Sequence, residues 1–243
     1  MAKIITIANQ KGGVGKTTTA LCMATGLTQM GQKTLVIDTD LQGNLTHAFG
    51  ADQTDEGIFE GVIQHMGQGD IIPSTQELTR ADVKLQEVNN RTRLLKNLLQ
   101  PIQDNYSYII IDTPPALGMI TANALIACDE VIVPMGCDSF SIQGLMQLND
   151  NITYAKRNNP RLKIAGILLT RYNGRTVLSR DVKKVIEKRA DELKTIVFKT
   201  VIRDGIAVKE AQIRRQSLFA YAPKSKPAKD YMDFISEYMK WSV

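Results

Sequence analysis

A glycine-rich segment flanked by lysines near the start of this 243-residue chain has the residue types needed to bind phosphate groups. It comprises Lys11, Gly12, Gly13, Val14, Gly15, Lys16, Thr17 and Thr18. Glycines let successive backbone N–H groups turn toward phosphate oxygens, and a helix that begins there adds partial positive charge. We expect Lys16 to reach the β- and γ-phosphates and the Thr17 hydroxyl to coordinate Mg²⁺. The segment therefore predicts a nucleoside triphosphate site.

The loop departs from the usual G-x-x-x-x-G-K-[ST] pattern at its start. Gln10 takes the place of the first glycine, and Lys11 follows it directly. A second lysine adds a cation where Lys16 already neutralises phosphate. Its most economical use is contact with a γ-phosphate across a two-fold interface, in the manner of an arginine finger supplied in trans. The alternative is a solvated lysine at the mouth of the loop.

Three aspartates follow two predicted strands, at residues 33–37 and 108–111. Ligands gather outside the carboxyl ends of the strands in doubly wound sheets, so these acids should face the phosphate loop. We expect Asp112 to hold Mg²⁺ through water, Asp40 to orient the attacking water, and Asp38 to support the metal shell. A single aspartate after a strand is more often a helix cap or turn residue, but three behind a phosphate loop favour an active site.

Strand-like and helix-like segments alternate along the chain and must position these residues. Apolar residues 4–9 predict a buried strand before the loop, and residues 17–30 a helix that ends at Gly31. Further strands are predicted at 131–135, 164–169 and 196–202, and helices at 57–66, 91–100, 121–127, 141–157, 177–193 and 228–241. The alternation predicts an α/β fold with a doubly wound, mainly parallel sheet flanked by helices, as a single domain over residues 1–243.

Positive charge is concentrated late in the chain. Residues 199–229 contain eight basic residues against two acidic ones, so the net charge of this segment, +6, exceeds the +5 of the whole chain. Such a concentration is typical of a surface that binds a polyanion, and phosphate contacts need no base-reading geometry. The alternative is a solvated basic surface. A second cluster, on the predicted helix 177–193, alternates with acids and indicates an exposed helix face.

Other features limit the class of protein. The cysteines Cys22, Cys128 and Cys137 have no CxxC spacing, which is typical of reduced thiols in a cytoplasmic protein. No apolar run approaches the length of a membrane span, and the phosphate loop follows the first strand too soon for a signal peptide.

Three segments carry a resemblance to a known family. Residues 8–19 (ANQKGGVGKTTT), 38–44 (DTDLQGN) and 111–115 (IDTPP) resemble the deviant Walker A, switch I and Walker B motifs of ParA/Soj-type partition ATPases. The resemblance implies a Mg²⁺-dependent ATPase of the P-loop NTPase fold whose ATP-bound sandwich homodimer binds double-stranded DNA without sequence preference. It further implies that a ParB-type centromere-binding protein stimulates hydrolysis, and that the protein is cytoplasmic and nucleoid-associated.

The resemblance extends to the second half of the chain. It implies that Arg171, Ile202, Arg203 and Asp204 lie at the nucleotide, and that Lys209, Arg214, Arg215, Lys224, Lys226 and Lys229 contact DNA. The chain departs from the family pattern at three positions. Leu41 and Arg203 stand where the family often has proline, and Ala207 stands where it often has arginine.

Two other classes share parts of this pattern. A MinD-like membrane-cycling ATPase would need a lysine-rich amphipathic C-terminal helix, whereas Asp230, Asp233 and Glu237 make the polar side of helix 228–241 acidic. This favours packing of its apolar side on the core. A reductase like the nitrogenase iron protein would need cysteines just after the third strand, and residues 112–118 contain none.

Overall fold

The computed structural model describes residues 1–54, 61–75 and 91–241, and its centre is one sheet. The strands are β1 (Lys3–Ile7), β2 (Thr34–Asp38), β3 (Gln64–Met66), β4 (Gly69–Ile72), β5 (Tyr108–Asp112), β6 (Glu130–Met135) and β7 (Lys163–Leu169). Their order is β3-β4-β2-β5-β1-β6-β7, and every pair is parallel except β3 with β4. The prediction of a mainly parallel, doubly wound sheet is confirmed.

Helices cover both faces of the sheet. The described helices are α1 (Lys16–Gln29), α2 (Asn44–Phe49), α3 (Leu94–Leu99), α4 (Met119–Ala127), α5 (Ser139–Ala155), α6 (Val177–Glu192), α7 (Ile206–Ile213), α8 (Leu218–Tyr221) and α9 (Lys226–Trp241), with a short 3₁₀ helix at Gln103–Asn105. Helices α3 to α6 contribute to one hydrophobic cluster, and α1, α2 and α7 to α9 contribute to the other. Within β5, Ile109 and Ile111 belong to the first cluster and Ile110 to the second, which explains the continuous apolar sequence of this strand.

The C-terminal helix α9 packs on the core. Tyr231, Phe234, Ile235 and Tyr238 are all buried, so its apolar side is used within the fold. The acidic residues have partners as well: Asp230 pairs with Arg203, and Glu237 accepts hydrogen bonds from backbone amides. Among the described residues, the helices lack the combination of length and apolarity that crossing a bilayer requires.

The prediction of a last strand at residues 196–202 is wrong. Only an isolated bridge forms there, between Ile167 of β7 and Val197. The segment still runs beside β7, because the N–H of Ile202 donates to the carbonyl of Leu169 at 2.8 Å. The ladder is interrupted where the Glu237 carboxylate accepts from the N–H groups of Lys199 (2.8 Å) and Thr200 (2.9 Å). A side chain from α9 thus takes donors that a further strand would use.

The predicted helix 57–66 is also wrong where it can be compared, and residues 55–60 lie outside the described part of the chain. Residues 64–66 form β3, which pairs antiparallel with β4. Gly69 has a φ of 122°, a value that L-residues with a β-carbon rarely adopt, and this allows the tight connection between the two strands. Across the hairpin, Nδ1 of His65 lies 2.9 Å from Oδ1 of Asp70.

Candidate nucleotide-binding site

The carboxyl ends of three neighbouring strands bring the predicted site residues together. Asp112, the last residue of β5, is in register with Ile7 of β1 on one side and with Asp38 of β2 on the other. The carbonyl of Asp112 accepts hydrogen bonds from the N–H (3.1 Å) and the hydroxyl (2.5 Å) of Thr39. The glycine loop after β1 and the aspartates after β2 and β5 therefore meet at one edge of the sheet, as predicted.

The loop backbone is held in an open curl. Gly13 and Gly15 have φ values of 72° and 84°, in the left-handed region that glycine tolerates. Asn9 accepts from the N–H of Lys11 at 3.0 Å, and the Thr170 hydroxyl donates to the carbonyl of Val14 at 2.8 Å. A β-carbon built on Gly12 or Gly13 would meet no atom within 4 Å, and no side chain caps the start of α1. The amides of this helix start remain available to an anion.

Lys16, the first residue of α1, is nearly buried beside the loop and lines the space in front of it. Its residue is only 7% exposed, and its ammonium donates to the carbonyl of Lys11 at 3.1 Å. Burial lowers the pKa of Lys16, while the charges of Asp112 and Asp40 oppose that shift. The buried cation thus faces two carboxylates and can neutralise an anion bound in front of the loop.

Asp112 is the most unusual group of the site. It is fully buried, and neither carboxylate oxygen accepts a hydrogen bond from any described residue. Burial raises the pKa of Asp112 well above its ordinary value and the charge of Asp38 adds to this, while the nearby Thr17 hydroxyl and the Lys16 charge oppose it. An unpaired buried carboxylate is costly unless a cation or donor compensates it. Hydroxyl and carboxylate oxygens are ligands suited to Mg²⁺, so Thr17 and Asp112 fit that ion.

Asp38, in contrast, is hydrogen-bonded within the protein. Its Oδ2 accepts from the N–H (2.8 Å) and hydroxyl (2.7 Å) of Thr46, and its Oδ1 accepts from the N–H of Asp40 at 3.1 Å. Burial raises the pKa of Asp38 to about 6, although these hydrogen bonds oppose the shift. Asp38 thereby connects the strand end to Asp40, a contact consistent with its predicted supporting role.

Asp40 lies at the wall of the cleft and is partly exposed. Its carboxylate accepts from the N–H of Gln42 at 3.1 Å, and its carbonyl accepts from the Ser74 hydroxyl at 2.6 Å. Ser74 and Thr46 are not predicted from the sequence, because isolated hydroxyl residues outside a motif carry no recognisable signal.

A cleft of about 980 Å³ lies in front of the loop. Its walls include most of the predicted nucleotide-binding residues, namely Gly12, Gly13, Gly15, Lys16, Thr17, Thr18, Arg171, Ile202, Arg203 and Asp204, and also Asp40. Lys11 and Val14 instead line a second cleft of about 360 Å³, which shares Gly12, Gly13, Thr170, Arg171 and Asp204 with the first. The larger cleft has the size of a typical small-molecule site.

Three charged residues that line the cleft are tied to neighbouring elements. Arg203 donates through Nε (2.9 Å) and through Nη2 to the carboxylate of Asp230 in α9, and this pairing raises the pKa of Arg203. Nε of Arg171 lies 3.9 Å from Oδ1 of Asp204, and Arg171 itself has a positive φ of 51°. These contacts hold the chain after β7 against the segment that follows residue 202.

The Lys11 side chain forms an ion pair with Asp138 of the same chain, at 2.5 Å. Its predicted contact across a two-fold interface stays a prediction.

The six predicted DNA-binding residues are all exposed. Arg215 donates to the carbonyl of Ala51 (2.7 Å) and to Asp52 (3.0 Å), whereas the Arg214 guanidinium lies 5.6 Å from the centre of the Tyr221 ring. Lys209 lines the large cleft. On α7, Gln212 donates to the Thr18 hydroxyl at 3.1 Å. The basic segment is therefore directly connected to the start of α1, a link that the sequence analysis missed.

The sheet order and the glycine loop define the class of protein as a P-loop nucleoside triphosphatase. A family model described as an AAA domain matches residues 2–164. The chain belongs to the ParA/Soj family of P-loop ATPases. It is 36% identical over 251 residues to the sporulation initiation inhibitor protein Soj of Bacillus subtilis, covering 98% of each chain. It is 35% identical to the chromosome partitioning protein ParA of Myxococcus xanthus, covering 99% of this chain and 89% of that protein.

Solved structures agree with this assignment. The cobyrinic acid a,c-diamide synthase of Mycobacterium smegmatis with bound ADP and magnesium is 30% identical, with a TM-score of 0.81 over 100% of this chain and 96% of that one. A putative plasmid partition protein from Borrelia burgdorferi bound to AMPPNP is 26% identical, with a TM-score of 0.81 over 100% of both chains.

Proposed function

We propose that this protein is an ATP-dependent partition ATPase that segregates plasmid or chromosomal DNA. The observation that carries the ATPase assignment is the fully buried Asp112 carboxylate, which has no described hydrogen-bond partner and lies near Lys16 of the open glycine loop. The partition role is supported by the relatives named Soj and ParA.

The residues of the site have separate roles in phosphoryl transfer. The amides of residues 12–18 and the Lys16 ammonium bind the phosphates, and Thr17 and Asp112 hold the metal, with Asp38 supporting that arrangement through its contacts. When bound, Mg²⁺ would neutralise negative charge on the β- and γ-phosphate oxygens. Asp40 orients the attacking water, and catalysis depends mainly on such positioning and on electrostatic stabilisation.

The nucleoside would occupy the part of the large cleft that is formed by the segments after β7 and after residue 201. Arg171, Ile202, Arg203 and Asp204 all line it. The N–H of Arg203 donates to Asp230 at 2.9 Å, and that of Ile202 donates to the carbonyl of Leu169 at 2.8 Å. We assign these residues to the nucleoside portion of ATP.

ATP binding would control DNA binding through dimerisation. Lys11 of each chain would contact the phosphates bound by the other, so that ATP stabilises only the dimer. Two basic segments on one duplex then bind more tightly than one, because the second contact is intramolecular. The nucleotide thus changes DNA affinity by linkage, without touching DNA. Hydrolysis, stimulated by a ParB-type partner, would release the cytoplasmic protein from the nucleoid.

A DNA surface is favoured over a lipid surface by the packing of α9. Four of its large apolar side chains, those of Tyr231, Phe234, Ile235 and Tyr238, are buried in the fold, and Asp230 and Glu237 are paired there. The apolar side of this helix is therefore used mainly within the fold, with Trp241 exposed at its end, and its acidic residues would be repelled by anionic lipid.

The test is a gel-shift titration of a duplex of arbitrary sequence with ATP, ADP or no nucleotide, run beside sedimentation with anionic liposomes. We expect a shift with ATP only, and no liposome binding in any nucleotide state. Nucleotide-dependent liposome binding without a DNA shift would contradict the proposal and favour a membrane-cycling ATPase. Failure to hydrolyse ATP with Mg²⁺ would contradict the ATPase assignment itself.

A further inference from the structure

The main-chain groups of Asp40 are held on both sides by side chains from other elements. On the amino side, its N–H donates to Oδ1 of Asp38 at 3.1 Å. On the carboxyl side, its carbonyl accepts from the Ser74 hydroxyl at 2.6 Å and from the N–H of Gly43 at 2.9 Å. Ser74 follows β4 and is 34 residues away in sequence. The position of Asp40 is therefore fixed by a contact that no local turn supplies.

Thr46 connects the same two groups through a second route. Its hydroxyl donates to Oδ2 of Asp38 at 2.7 Å and accepts from the N–H of Ser74 at 2.8 Å. A hydroxyl has one donor and can accept as well, so both functions of this side chain are used. Ser74, Thr46 and Asp38 are all fully or almost fully buried. These buried hydrogen bonds form a closed ring through Asp38, Asp40, Ser74 and Thr46.

We infer that Ser74 and Thr46 are positioning residues that hold Asp40 for the activation of water in ATP hydrolysis. This inference rests on the proposed function, because Asp40 has that role only in an ATPase. Neither side chain lines the large cleft. They act through Asp40 and touch neither the phosphates nor the metal.

The physical reason is the cost of misplacing a reacting group. A displacement of about 1 Å in a catalytic group can cost about 100-fold in rate. Asp40 is partly exposed in a turn, where its own carboxylate accepts only from the N–H of Gln42 among the hydrogen bonds described. Loss of the Ser74 hydroxyl would leave the turn intact but widen the range of positions of its carboxylate. Turnover should then fall while nucleotide affinity is retained.

The substitutions are chosen to remove one hydroxyl at a time. Ser74→Ala removes the donor to Asp40, and Thr46→Val replaces the hydroxyl with a methyl group of similar size. Thr46→Ser restores the hydroxyl and serves as the rescue variant. Two control substitutions, Ser236→Ala and Thr25→Val, make the same chemical changes in other helices. In the unsubstituted protein the Ser236 hydroxyl donates to the carbonyl of Met232 at 2.8 Å, and the Thr25 hydroxyl donates to the carbonyl of Leu21 at 2.8 Å.

Two measurements separate positioning from a general loss of structure. Steady-state hydrolysis with Mg²⁺ and ATP gives kcat, and calorimetric titration with a non-hydrolysable ATP analogue gives the dissociation constant. We expect kcat to fall about tenfold in Ser74→Ala and Thr46→Val. The dissociation constant of the analogue should stay within about twofold of that for the unsubstituted protein. Loss of a hydrogen bond to the ligand itself would change it more. Thr46→Ser should recover most of the activity.

Amide hydrogen exchange of the nucleotide-free protein provides a readout that needs no activity. In Ser74→Ala, peptides that cover residues 39–46 should exchange about 2- to 10-fold faster, as the loss of one hydrogen bond predicts, and peptides from β6 and β7 should not change.

The outcomes are distinct. A Ser74→Ala protein with the turnover and exchange of Ser236→Ala would overturn the inference while the proposed function stands. A Thr46→Ser protein no more active than Thr46→Val would also overturn it. An unsubstituted protein that does not hydrolyse ATP would overturn the proposed function, and the inference with it.

Discussion

The ammonium group of Lys11 lies 2.5 Å from Oδ1 of Asp138 in the same chain. Each side chain is more than 30% exposed, so the pair lies at the surface beside the smaller cleft. Ion pairs at such positions contribute about 0.2–1 kcal/mol, because solvent screens them. The contact within one chain is therefore weak enough that Lys11 could exchange it for a contact with the phosphates of ATP bound by a second subunit.

Lys11→Ala is expected to bind ATP but to form no ATP-dependent dimer, because the lost ammonium would have contacted the partner's phosphates. Analytical ultracentrifugation with a non-hydrolysable ATP analogue measures the dimer, and Lys156→Ala, at an exposed lysine near the end of α5, is the control. A stable Lys11→Ala dimer would contradict the role across the interface.

Lys16→Ala should lose nucleotide affinity by at least about 30-fold, the lower end of the effect of truncating one partner of a buried charge pair. Lys16 is almost fully buried beside the glycine loop, whereas the control Lys188→Ala changes an exposed lysine on α6. Calorimetric titration with ATP and Mg²⁺ gives the affinities. Retained turnover in Lys16→Ala would refute its assigned role.

Asp40→Ala is expected to trap an ATP-bound dimer, because the phosphates would still bind while the attacking water is no longer oriented. Size-exclusion chromatography with ATP and Mg²⁺ should show a persistent dimer, and the control Asp150→Ala, exposed on α5, should return to monomer as ATP is consumed. Normal turnover in Asp40→Ala would count against the assignment.

The nucleotide-free protein should lose stability as the pH rises. Burial raises the pKa of Asp38 to about 6 and that of Asp112 well above its ordinary value, so the folded chain binds these protons more tightly than the unfolded chain. Stability therefore falls from about pH 4, where unfolded aspartates lose their protons, through pH 6 and beyond. Thermal unfolding between pH 5 and 8, without Mg²⁺, measures this decline.

The substitution Asp112→Asn tests whether the buried carboxyl group causes the loss of stability at higher pH. Removing the buried charge should raise the unfolding free energy at pH 7.5 and flatten the pH dependence. The control Asp150→Asn changes an exposed carboxylate and should leave the curve as it is. An Asp112→Asn protein that is less stable at pH 7.5 would contradict the explanation.

Simultaneous substitution of Lys224, Lys226 and Lys229 by alanine should weaken binding to duplex DNA. If all three contact phosphates, the slope of log affinity against log salt should become less steep by about 2.7 per subunit. Replacement of Arg180, Lys184 and Lys188 on α6 removes the same charge from another exposed surface and is the matched control. If both triple substitutions weaken DNA binding equally, the net charge of the protein, and not a particular surface, would explain the affinity. An unchanged slope in the first would exclude these three lysines from the DNA surface.

The phosphate loop and its aspartates could be predicted because each motif is contiguous and follows a buried apolar strand. The register of Asp112 with Ile7 and Asp38 then brings the motifs together without further information. Ser74 and Thr46 could not be found in this way. Their roles depend on which strand lies next to β2, and the residues of β3 in the β3–β4 hairpin fall within a predicted helix. The strand predicted at 196–202 failed because Glu237, in a distant helix, competes for its amides.

That competition has a consequence for assembly. An exposed sheet edge can template pairing with another polypeptide, and it is a common origin of aggregation. Here the carboxylate of Glu237 occupies the amides of Lys199 and Thr200 next to the terminal strand β7. The C-terminal helix, through the segment that it holds beside β7, thereby shields this margin of the sheet from strand addition by another polypeptide.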